Sequence, residues 1–298
     1  MFSRRHPILF FSLIFTSVVC VSFVLITAMI SISVSSKEFD FGEKVGIVEI
    51  QGVIVDSIPI INDIQNFMQD DRIKAIVLRI DSPGGGAAPS QEIYREIQKA
   101  IKIKKVIASM GSVAASGGYY IASAANGIMS SPGTITGSIG VIMGYTNIED
   151  LFKKIGLSTV VIKSGEFKDI GSPAREMTKK EEKLLQEFVK NIHDQFIEDV
   201  AEGRGLSIEK VKEIADGRIL TGEQAKESGL VDRLGNIQDA IEWAGILGGI
   251  EGEFKSVYAK KPKFSFLEQL IENSIQKIIS TSSKYLTTPY LYHANIIN

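Results

Sequence analysis

The sequence predicts an α/β fold whose sheet is largely parallel and buried. From Lys44 onward, short β-type runs alternate with stretches in which apolar residues recur at helical spacing. One of the β-type runs, residues 75–80, is apolar throughout except for Arg79. Strands of a parallel sheet read as continuous apolar runs because helices cover both faces of such a sheet. Together these observations indicate parallel strands packed between helices.

Strands are predicted at β-type runs that are bounded by glycine, proline or polar residues. In chain order they cover residues 45–50, 75–80, 106–110, 127–130, 139–143 and 159–162. A turn is predicted over residues 81–86, where the sequence contains proline and three glycines, and a Gly/Thr/Ser loop is predicted between the fourth and fifth strands.

Helices are predicted where apolar residues recur at helical spacing. Pro59 suits the first turn of one helix. Thr178 with Glu181, and Thr221 with Gln224, have the spacing of capping boxes, which mark helix starts. In chain order the predicted helices cover residues 59–68, 90–101, 119–125, 147–155, 178–202, 207–215 and 236–247. The apolar face of the helix over residues 178–202 is expected to pack in the core.

The first segment is apolar and uncharged over residues 7–34, and Arg4 and Arg5 precede it. At about 1.5 Å per residue this run exceeds the roughly 30 Å of a hydrocarbon core, so it is predicted to span a membrane. The arginines place the N-terminus in the cytoplasm and the rest of the chain on the extracytoplasmic side. A cleaved signal peptide is the main alternative. The run is longer than the about 7–15 residues of an h-region, which favours a single-pass anchor in the cell membrane.

Three segments are therefore predicted: residues 1–36 as N-terminus and anchor, residues 37–250 as the main domain, and residues 251–298 as a C-terminal helix and tail. The last segment has an apolar stripe at helical spacing. It consists of Leu267, Leu270, Ile271, Ile275 and Ile278. Such a stripe packs either on its own domain or on a neighbouring copy of the chain.

Charge and residue counts exclude several classes of function. The net charge is −2, which gives no reason to expect nucleic acid as a partner. A lone cysteine, Cys20, excludes an intrachain disulfide. The three histidines, His6, His193 and His293, follow neither a strand end nor a glycine loop. A Ser-His-Asp triad is therefore not expected, and no metal or other cofactor is predicted.

A serine at a strand-to-helix junction is the first candidate for chemistry. Ser116 lies between the β-type run over 105–110 and the helix-compatible run over 119–125, next to Gly117. At such a junction a hydroxyl lies beside the free N–H groups of a helix N-terminus, which favour negative charge. This suits a nucleophile with an oxyanion hole. The same residues also suit a small-residue turn where helices pack closely.

A serine nucleophile needs a base, and with histidine disfavoured a lysine is the candidate. A lysine can serve when burial lowers its pKa from about 10.4 towards 7–8. Lys168 is chosen because it follows a predicted strand in a loop, although a loop lysine is also a common surface residue. The neighbouring Asp169 would stabilise the ammonium, so its carboxylate has to point elsewhere. Ser138, in the Gly/Thr/Ser loop, is the predicted hydroxyl that orients the lysine.

A glycine loop can complete the site. Gly84 and Gly85 follow the buried strand over 75–80, and glycine lets the backbone N–H approach a substrate closely. With the N–H of Gly117, one of them would form a two-donor oxyanion hole. The loop also resembles a phosphate loop, but no Gly-Lys-Ser/Thr ending follows, which disfavours nucleotide binding.

Four ordered segments resemble the signal peptide peptidase A family, which comprises membrane-anchored serine peptidases with a Clp-protease/crotonase-like fold. They are residues 79–86 (RIDSPGGG), 110–122 (MGSVAASGGYYIA), 133–141 (GTITGSIGV) and 164–177 (SGEFKDIGSPAREM). A looser resemblance runs from about residue 45 to residue 247. The resemblance assigns each candidate a role: Ser116 the nucleophile, Lys168 the general base, Ser138 the residue that holds the lysine, and Gly84 or Gly85 with Gly117 the oxyanion donors.

The resemblance implies a superhelix of ββα units and an endopeptidase that degrades cleaved signal peptides and other apolar, unfolded peptides. The family includes long forms with two tandem copies of the fold, and this chain resembles the short form with one copy. A closed homo-oligomer is expected, and whether Ser116 and Lys168 meet within or between subunits stays open. The small residues Ala114, Ala115 and Gly118 are expected to leave space for an apolar primary pocket.

Two other functions are weighed against this one. A crotonase-like enzyme that transfers acyl groups from a thioester would need a nucleotide-binding pocket, and the predicted anchor argues against it. A non-catalytic, membrane-anchored scaffold of the same fold is the other alternative. The presence of both Ser116 and Lys168 argues against a scaffold.

Overall fold

The computed structural model describes residues 7–35 and 42–259, and it contains one mixed sheet with helices packed on both faces. The strands are β1 (Lys44–Ile54), β2 (Ile73–Gly85), β3 (Lys105–Ala115), β4 (Gly127–Ser130), β5 (Ile135–Gly137), β6 (Ile219–Thr221), β7 (Arg233–Leu234) and β8 (Lys255–Tyr258). The helices are α1 (Pro7–Ser35), α2 (Ile58–Gln69), α3 (Ala87–Ala100), α4 (Gly117–Ser123), α5 (Glu149–Lys154), α6 (Lys179–Arg204), α7 (Ile208–Lys212), α8 (Gly222–Glu227) and α9 (Ile237–Leu247). The predicted α/β class is confirmed.

The sheet has the strand order β6-β5-β3-β2-β1-β8, and β4 and β7 continue it from β3. Among the described strands every pair is parallel except β5 with β6. The strand β3 changes partner along its length, because residues 107–109 pair with β4 and residues 113–115 with β5. Asp81 of β2 lies at this change and accepts a hydrogen bond from the N–H of Val113 at 3.1 Å.

Successive residues of the central strands face opposite helix layers. In β2, Ile76 and Leu78 belong to the larger core cluster, which also contains side chains of α2, α3, α4 and α6. Val77, between them, belongs to a second cluster that includes Ala240 and Ala244 of α9. All three strand residues are fully buried. This two-sided burial explains why the run over 75–80 is almost continuously apolar.

The predicted helices within the described range are all present, as α2 to α7 and α9. Both capping boxes are also confirmed. The Thr178 side chain accepts a hydrogen bond from the N–H of Glu181 at the start of α6. At the start of α8 the Thr221 side chain accepts one from the N–H of Gln224.

The strand predictions are right for β1 to β4 but too short for β1, β2 and β3. The strand β2 continues to Gly85, so the turn predicted over residues 81–86 is wrong. Parallel pairing with β1 extends as far as Ile54 opposite Gly85, which keeps the glycine loop extended despite its turn-like composition. The strand β3 likewise continues to Ala115, directly before the candidate nucleophile.

Two predicted strands, residues 139–143 and 159–162, are not strands in the structure. The strand that pairs with the end of β3 is β5, which lies inside the predicted Gly/Thr/Ser loop. Its Thr136 hydroxyl donates to the carbonyl of Ala114 at 2.6 Å. Val160 and Ile162 are 83% and 97% exposed, and β-type composition does not make a strand without a partner strand.

The apolar face of α6 is only partly in the core, which corrects the prediction for that helix. Phe196 and Val200, in its second half, are buried. Leu184 and Phe188, in its first half, are 43% and 51% exposed. The first half therefore presents apolar side chains that no described part of the chain covers.

The predicted anchor and the predicted C-terminal helix lie at the two ends of the chain, and the structure describes each end only in part. Residues 7–35 form α1, and the structure describes its side chains only at positions 8, 11, 12 and 15–27. Among the residues that the structure describes, no helix is both long enough and apolar enough to cross a membrane. The predicted C-terminal stripe, residues 267–278, lies outside the described residues. The strand β8, which the sequence analysis does not predict, lies beside β1.

Candidate active site

The candidate nucleophile, Ser116, occupies a strained backbone position between β3 and α4. Its φ is 52° and its ψ is −121°, a region that residues with a side chain rarely adopt. Backbone hydrogen bonds hold it there: its N–H donates to the carbonyl of Gly137 at 2.9 Å, and its carbonyl accepts from the N–H of Tyr120 at 2.8 Å. Strain of this kind persists only where the surroundings fix it, and it concentrates at functional sites.

Ser138 is the second residue other than glycine that has a positive φ, at 49°, in the described part of the chain. It directly follows Gly137, whose carbonyl holds Ser116, and its own N–H donates to the carbonyl of Arg218 at 2.8 Å. Both serines line the same cleft. The structure therefore brings the predicted nucleophile and the predicted orienting hydroxyl together.

Gly84 packs directly against the candidate nucleophile, Ser116. A Cβ placed on Gly84 would lie 2.7 Å from the nitrogen of Gly117 and 2.9 Å from the Cβ of Ser116. Its φ of +103° is one that glycine adopts readily and other residues rarely do. The end of β2 and the start of α4 can approach this closely only because no side chain stands between them.

Of the two loop glycines, Gly85 fits the role of oxyanion donor better than Gly84. The N–H of Gly84 is engaged, because it donates to the buried hydroxyl of Ser82 at 3.1 Å. The N–H of Gly86 donates to the carbonyl of Ile54 in β1 at 2.8 Å. Successive N–H groups of an extended strand point in opposite directions, which turns the N–H of Gly85 away from β1.

The N–H of Gly117 is the second donor of this pair. Gly117 is the first residue of α4, where the backbone N–H has no partner within the helix. A Cβ placed on Gly117 would lie 3.2 Å from the nitrogen of Gly85, so the two backbone nitrogens are neighbours beside Ser116. Two neighbouring N–H groups next to a nucleophile can stabilise the negative oxygen of a tetrahedral intermediate.

A cleft of about 720 Å³ opens at Ser116. Its apolar wall comes from several elements and includes Pro83, Ala87, Ile142, Met143, Ile192 and Phe196. The small residues expected to make room for a pocket do not line this cleft. Ala114 and Ala115 are buried, and a Cβ on Gly118 would lie 2.8 Å from the carbonyl oxygen of Ser82. They allow close packing in the core, so this expectation is wrong.

Lys168, the candidate base, does not line the cleft that contains Ser116. It is exposed, and within the described residues its side chain forms no hydrogen bond or ion pair. The neighbouring carboxylate points elsewhere, as the hypothesis requires. Asp169 accepts from Lys163 Nζ at 2.6 Å and from Arg175 Nε at 2.9 Å.

His193 is not expected to be catalytic from the sequence, but in the structure it lies on the wall of the Ser116 cleft. Its Nε2 is buried and has no hydrogen-bond partner in the described part of the chain. No hydrogen bond joins it to Ser116 there. Its position in the middle of α6 gave no sequence signal, because the helix reaches the cleft only through the tertiary fold.

The fold and site together define an α/β protein in which a strained serine lies beside the backbone nitrogens of two glycines. Models of two families match the chain: peptidase family S49 over residues 98–251 and Clp protease over residues 44–135. The chain belongs to peptidase family S49. Its residues 116 and 168 both lie within the matched range.

Three similar proteins agree with this family. A candidate protease of Synechocystis sp. is 46% identical over 62% of this chain and 66% of its own length. A candidate signal peptide peptidase SppA of Enterococcus faecium is 40% identical over 61% of this chain and 53% of its own length. The chloroplastic serine protease SPPA of Arabidopsis thaliana is 36% identical over 61% of this chain and 27% of its own length. The chain therefore matches less than two thirds of the length of each relative.

Proposed function

We propose that this protein is a serine endopeptidase with a Ser116–Lys168 dyad, and that it degrades cleaved signal peptides and other apolar, unfolded peptides. The observation that carries the proposal is the strained Ser116, which has the backbone nitrogens of Gly85 and Gly117 beside it. Membership of a peptidase family supports the reaction type, and the relative named signal peptide peptidase supports the substrate class. The match to Clp protease supports a superhelix of ββα units.

The proposed reaction has two steps. Ser116 Oγ attacks the scissile carbonyl carbon while its proton passes to a neutral lysine Nζ. The N–H groups of Gly85 and Gly117 stabilise the oxyanion, and the lysine returns the proton to the amine that leaves. Water then cleaves the acyl ester with the same lysine as base. Ser138 would orient the lysine, since it lies beside Ser116 in the same cleft.

The cleft supports apolar peptides as substrates. Side chains such as Ile192 and Phe196 line it, and apolar walls select apolar substrate side chains. A peptide with an apolar sequence should be cleaved, while the same sequence within a folded domain should be spared, because an extended backbone has to reach Ser116. Equal cleavage of both by the wild-type chain, or cleavage by Ser116→Ala, would contradict the proposal.

The proposal includes a membrane anchor at residues 7–34, which lack any charged residue. The described side chains of α1 include exposed apolar ones such as Phe15 and Phe23, as expected for a helix that meets lipid. We expect the full chain to stay in membranes through an alkaline carbonate wash. Removal of residues 1–36 should release an active enzyme, and a full chain that washes off would contradict the anchor.

A homo-oligomer with the dyad shared between subunits fits the remaining observations. Lys168 lies outside the cleft of its own Ser116. In the sequence between Ser116 and Lys168, many apolar side chains are exposed, as expected for an interface. Within residues 141–162 the exposed apolar side chains are Ile142, Met143, Tyr145, Leu151, Ile155, Leu157, Val160, Val161 and Ile162. We propose that this apolar arm, residues 141–162, packs on a neighbour and brings Lys168 to the neighbour's Ser116.

Mixed oligomers test this arrangement. Ser116→Ala and Lys168→Ala subunits should each be inactive alone. Co-expressed with two different tags and purified through both, they should recover about a quarter of the wild-type activity, since random mixing creates that share of intact pairs. A mixed oligomer without activity would show that the dyad forms within one subunit.

A further inference from the structure

Two side chains join the loop that carries Lys168 to the start of α6: the exposed Lys180 pairs with Glu166 at 2.8 Å, and the guanidinium of Arg175 binds the buried Glu181. We propose that Arg175 is a positioning residue, which holds this loop so that Lys168 reaches the nucleophile. The inference rests on the proposed role of Lys168 as the base. It concerns how the chain fixes that base, which otherwise lies on an exposed loop without strands or helices.

The guanidinium of Arg175 lies between two carboxylates. Its Nε donates to Asp169 Oδ2 at 2.9 Å, and its Nη1 and Nη2 donate to the two carboxylate oxygens of Glu181, with Nη1 to Oε2 at 2.9 Å. Two further bonds reach the backbone carbonyls of Asp169 and Glu176, at 3.3 Å and 3.0 Å. A planar group with five donors can make such a set of bonds, and a lysine ammonium cannot.

The Glu181 end of this connection is rigid. Glu181 is 3% exposed and is the N3 residue of the α6 capping box. Its Oε2 accepts from the N–H of Thr178 at 2.9 Å and from the Thr178 hydroxyl at 3.0 Å. One carboxylate therefore both caps α6 and binds Arg175. Because the second half of α6 packs in the core, this end of the connection is fixed relative to the domain.

At the other end of the connection, Arg175 and Lys163 hold Asp169, the residue next to Lys168. Lys163 Nζ also binds this carboxylate, at 2.6 Å, and donates to the carbonyl of Glu166 at 2.8 Å. Two backbone bonds tighten the loop around the lysine, from Lys168 N–H to the carbonyl of Gly165 at 3.2 Å and from Ser172 N–H to the carbonyl of Asp169 at 3.0 Å. The loop backbone is thus fixed on both sides of a lysine whose own side chain stays unengaged within the described residues.

The charges of this cluster persist over the pH range in which a lysine base works. Hydrogen bonds from Arg175 lower the pKa of the Glu181 carboxyl to about 2, and they lower the pKa of Asp169 as well. A carboxyl with a lowered pKa stabilises the fold above its unfolded pKa and loses that contribution as the pH falls through its folded value. The connection is therefore complete at neutral and alkaline pH.

The test compares variants of the full chain. Arg175→Ala should lower kcat by about 10²-fold and leave KM within about two-fold, because a misplaced base impairs chemistry rather than binding. Arg175→Lys should behave similarly, since it keeps the charge but loses the bidentate geometry. Guanidinium ion at low millimolar concentration should restore part of the kcat of Arg175→Ala, and urea should not.

Two further variants keep the test independent of folding. Asp169→Asn leaves the α6 capping box intact and should also lower kcat, while Arg72→Ala removes an exposed ion pair with Asp70 and should have no effect. Wild-type kcat in Arg175→Ala, or a loss that urea restores as well as guanidinium, would overturn the proposal. If Lys168→Ala itself stays active, the proposed dyad fails, whatever the Arg175 variants show.

Discussion

Replacing Lys168 by alanine should lower kcat/KM by about 10³–10⁶-fold, since nucleophile and base act as a unit. The fold should be unaffected, because the side chain is exposed and forms no hydrogen bond or ion pair within the described residues. The wild-type kcat/KM should rise towards alkaline pH, because a lysine has to lose its proton to act as a base. Initial rates with an apolar peptide, measured from pH 6 to pH 10, would show both effects.

His193→Ala is the informative control for this prediction. His193 lines the Ser116 cleft and is the one histidine in the described residues, so it is the competing base. With Lys168 as the base, His193→Ala should keep at least about a tenth of the activity. A Lys168→Ala variant that stays active beside an inactive His193→Ala variant would transfer the role to the histidine.

Replacing Gly84 by alanine should lower kcat by about 10²–10³-fold, the effect expected when an oxyanion hole loses a donor. The new Cβ would lie 2.7 Å from the nitrogen of Gly117 and 2.9 Å from the Cβ of Ser116, so it would displace the proposed donor N–H of Gly117 and the proposed nucleophile. The positive φ of Gly84 adds strain of about 1–3 kcal/mol, which should lower the free energy of unfolding. Steady-state kinetics and thermal unfolding of the same preparation would measure both.

Gly133→Ala provides the matched control. Gly133 lies in the neighbouring loop before β5, and a Cβ there would meet no atom within 4 Å. Its variant should keep the wild-type kcat and stability. A Gly84→Ala variant with kcat within two-fold of the wild type would show that the contact between the glycine loop and α4 does not shape the site.

The placement of Ser116 beside Gly117 can be predicted from the local sequence. Ser116 and Gly117 are consecutive residues at the junction of β3 and α4, and the small residues around them already indicate a close turn. The choice between Gly84 and Gly85 could not be predicted. It depends on the hydroxyl of Ser82 and on the pairing with β1, which only the folded sheet brings to the loop.

The base side of the site depends on tertiary structure. The loop position of Lys168 can be predicted from the sequence, but the hydrogen bond from Arg175 that holds Asp169 cannot. Strands are predicted at 139–143 and 159–162 because Val and Ile are frequent in strands, but neither segment forms a strand in the structure. In the structure most of these residues belong to the exposed apolar arm. Its apolar side chains suit burial against a neighbouring subunit, as proposed above.

The central claim is that Ser116 is a nucleophile activated by Lys168, and one measurement tests it most directly. The intact protein is treated with a fluorophosphonate, which forms a bond to an activated serine Oγ as fluoride leaves, and the modified residue is identified by mass spectrometry. The account predicts one adduct on Ser116 in the wild type and little or none in Lys168→Ala. Labelling of another serine, or equal labelling of Ser116 in both proteins, would contradict it.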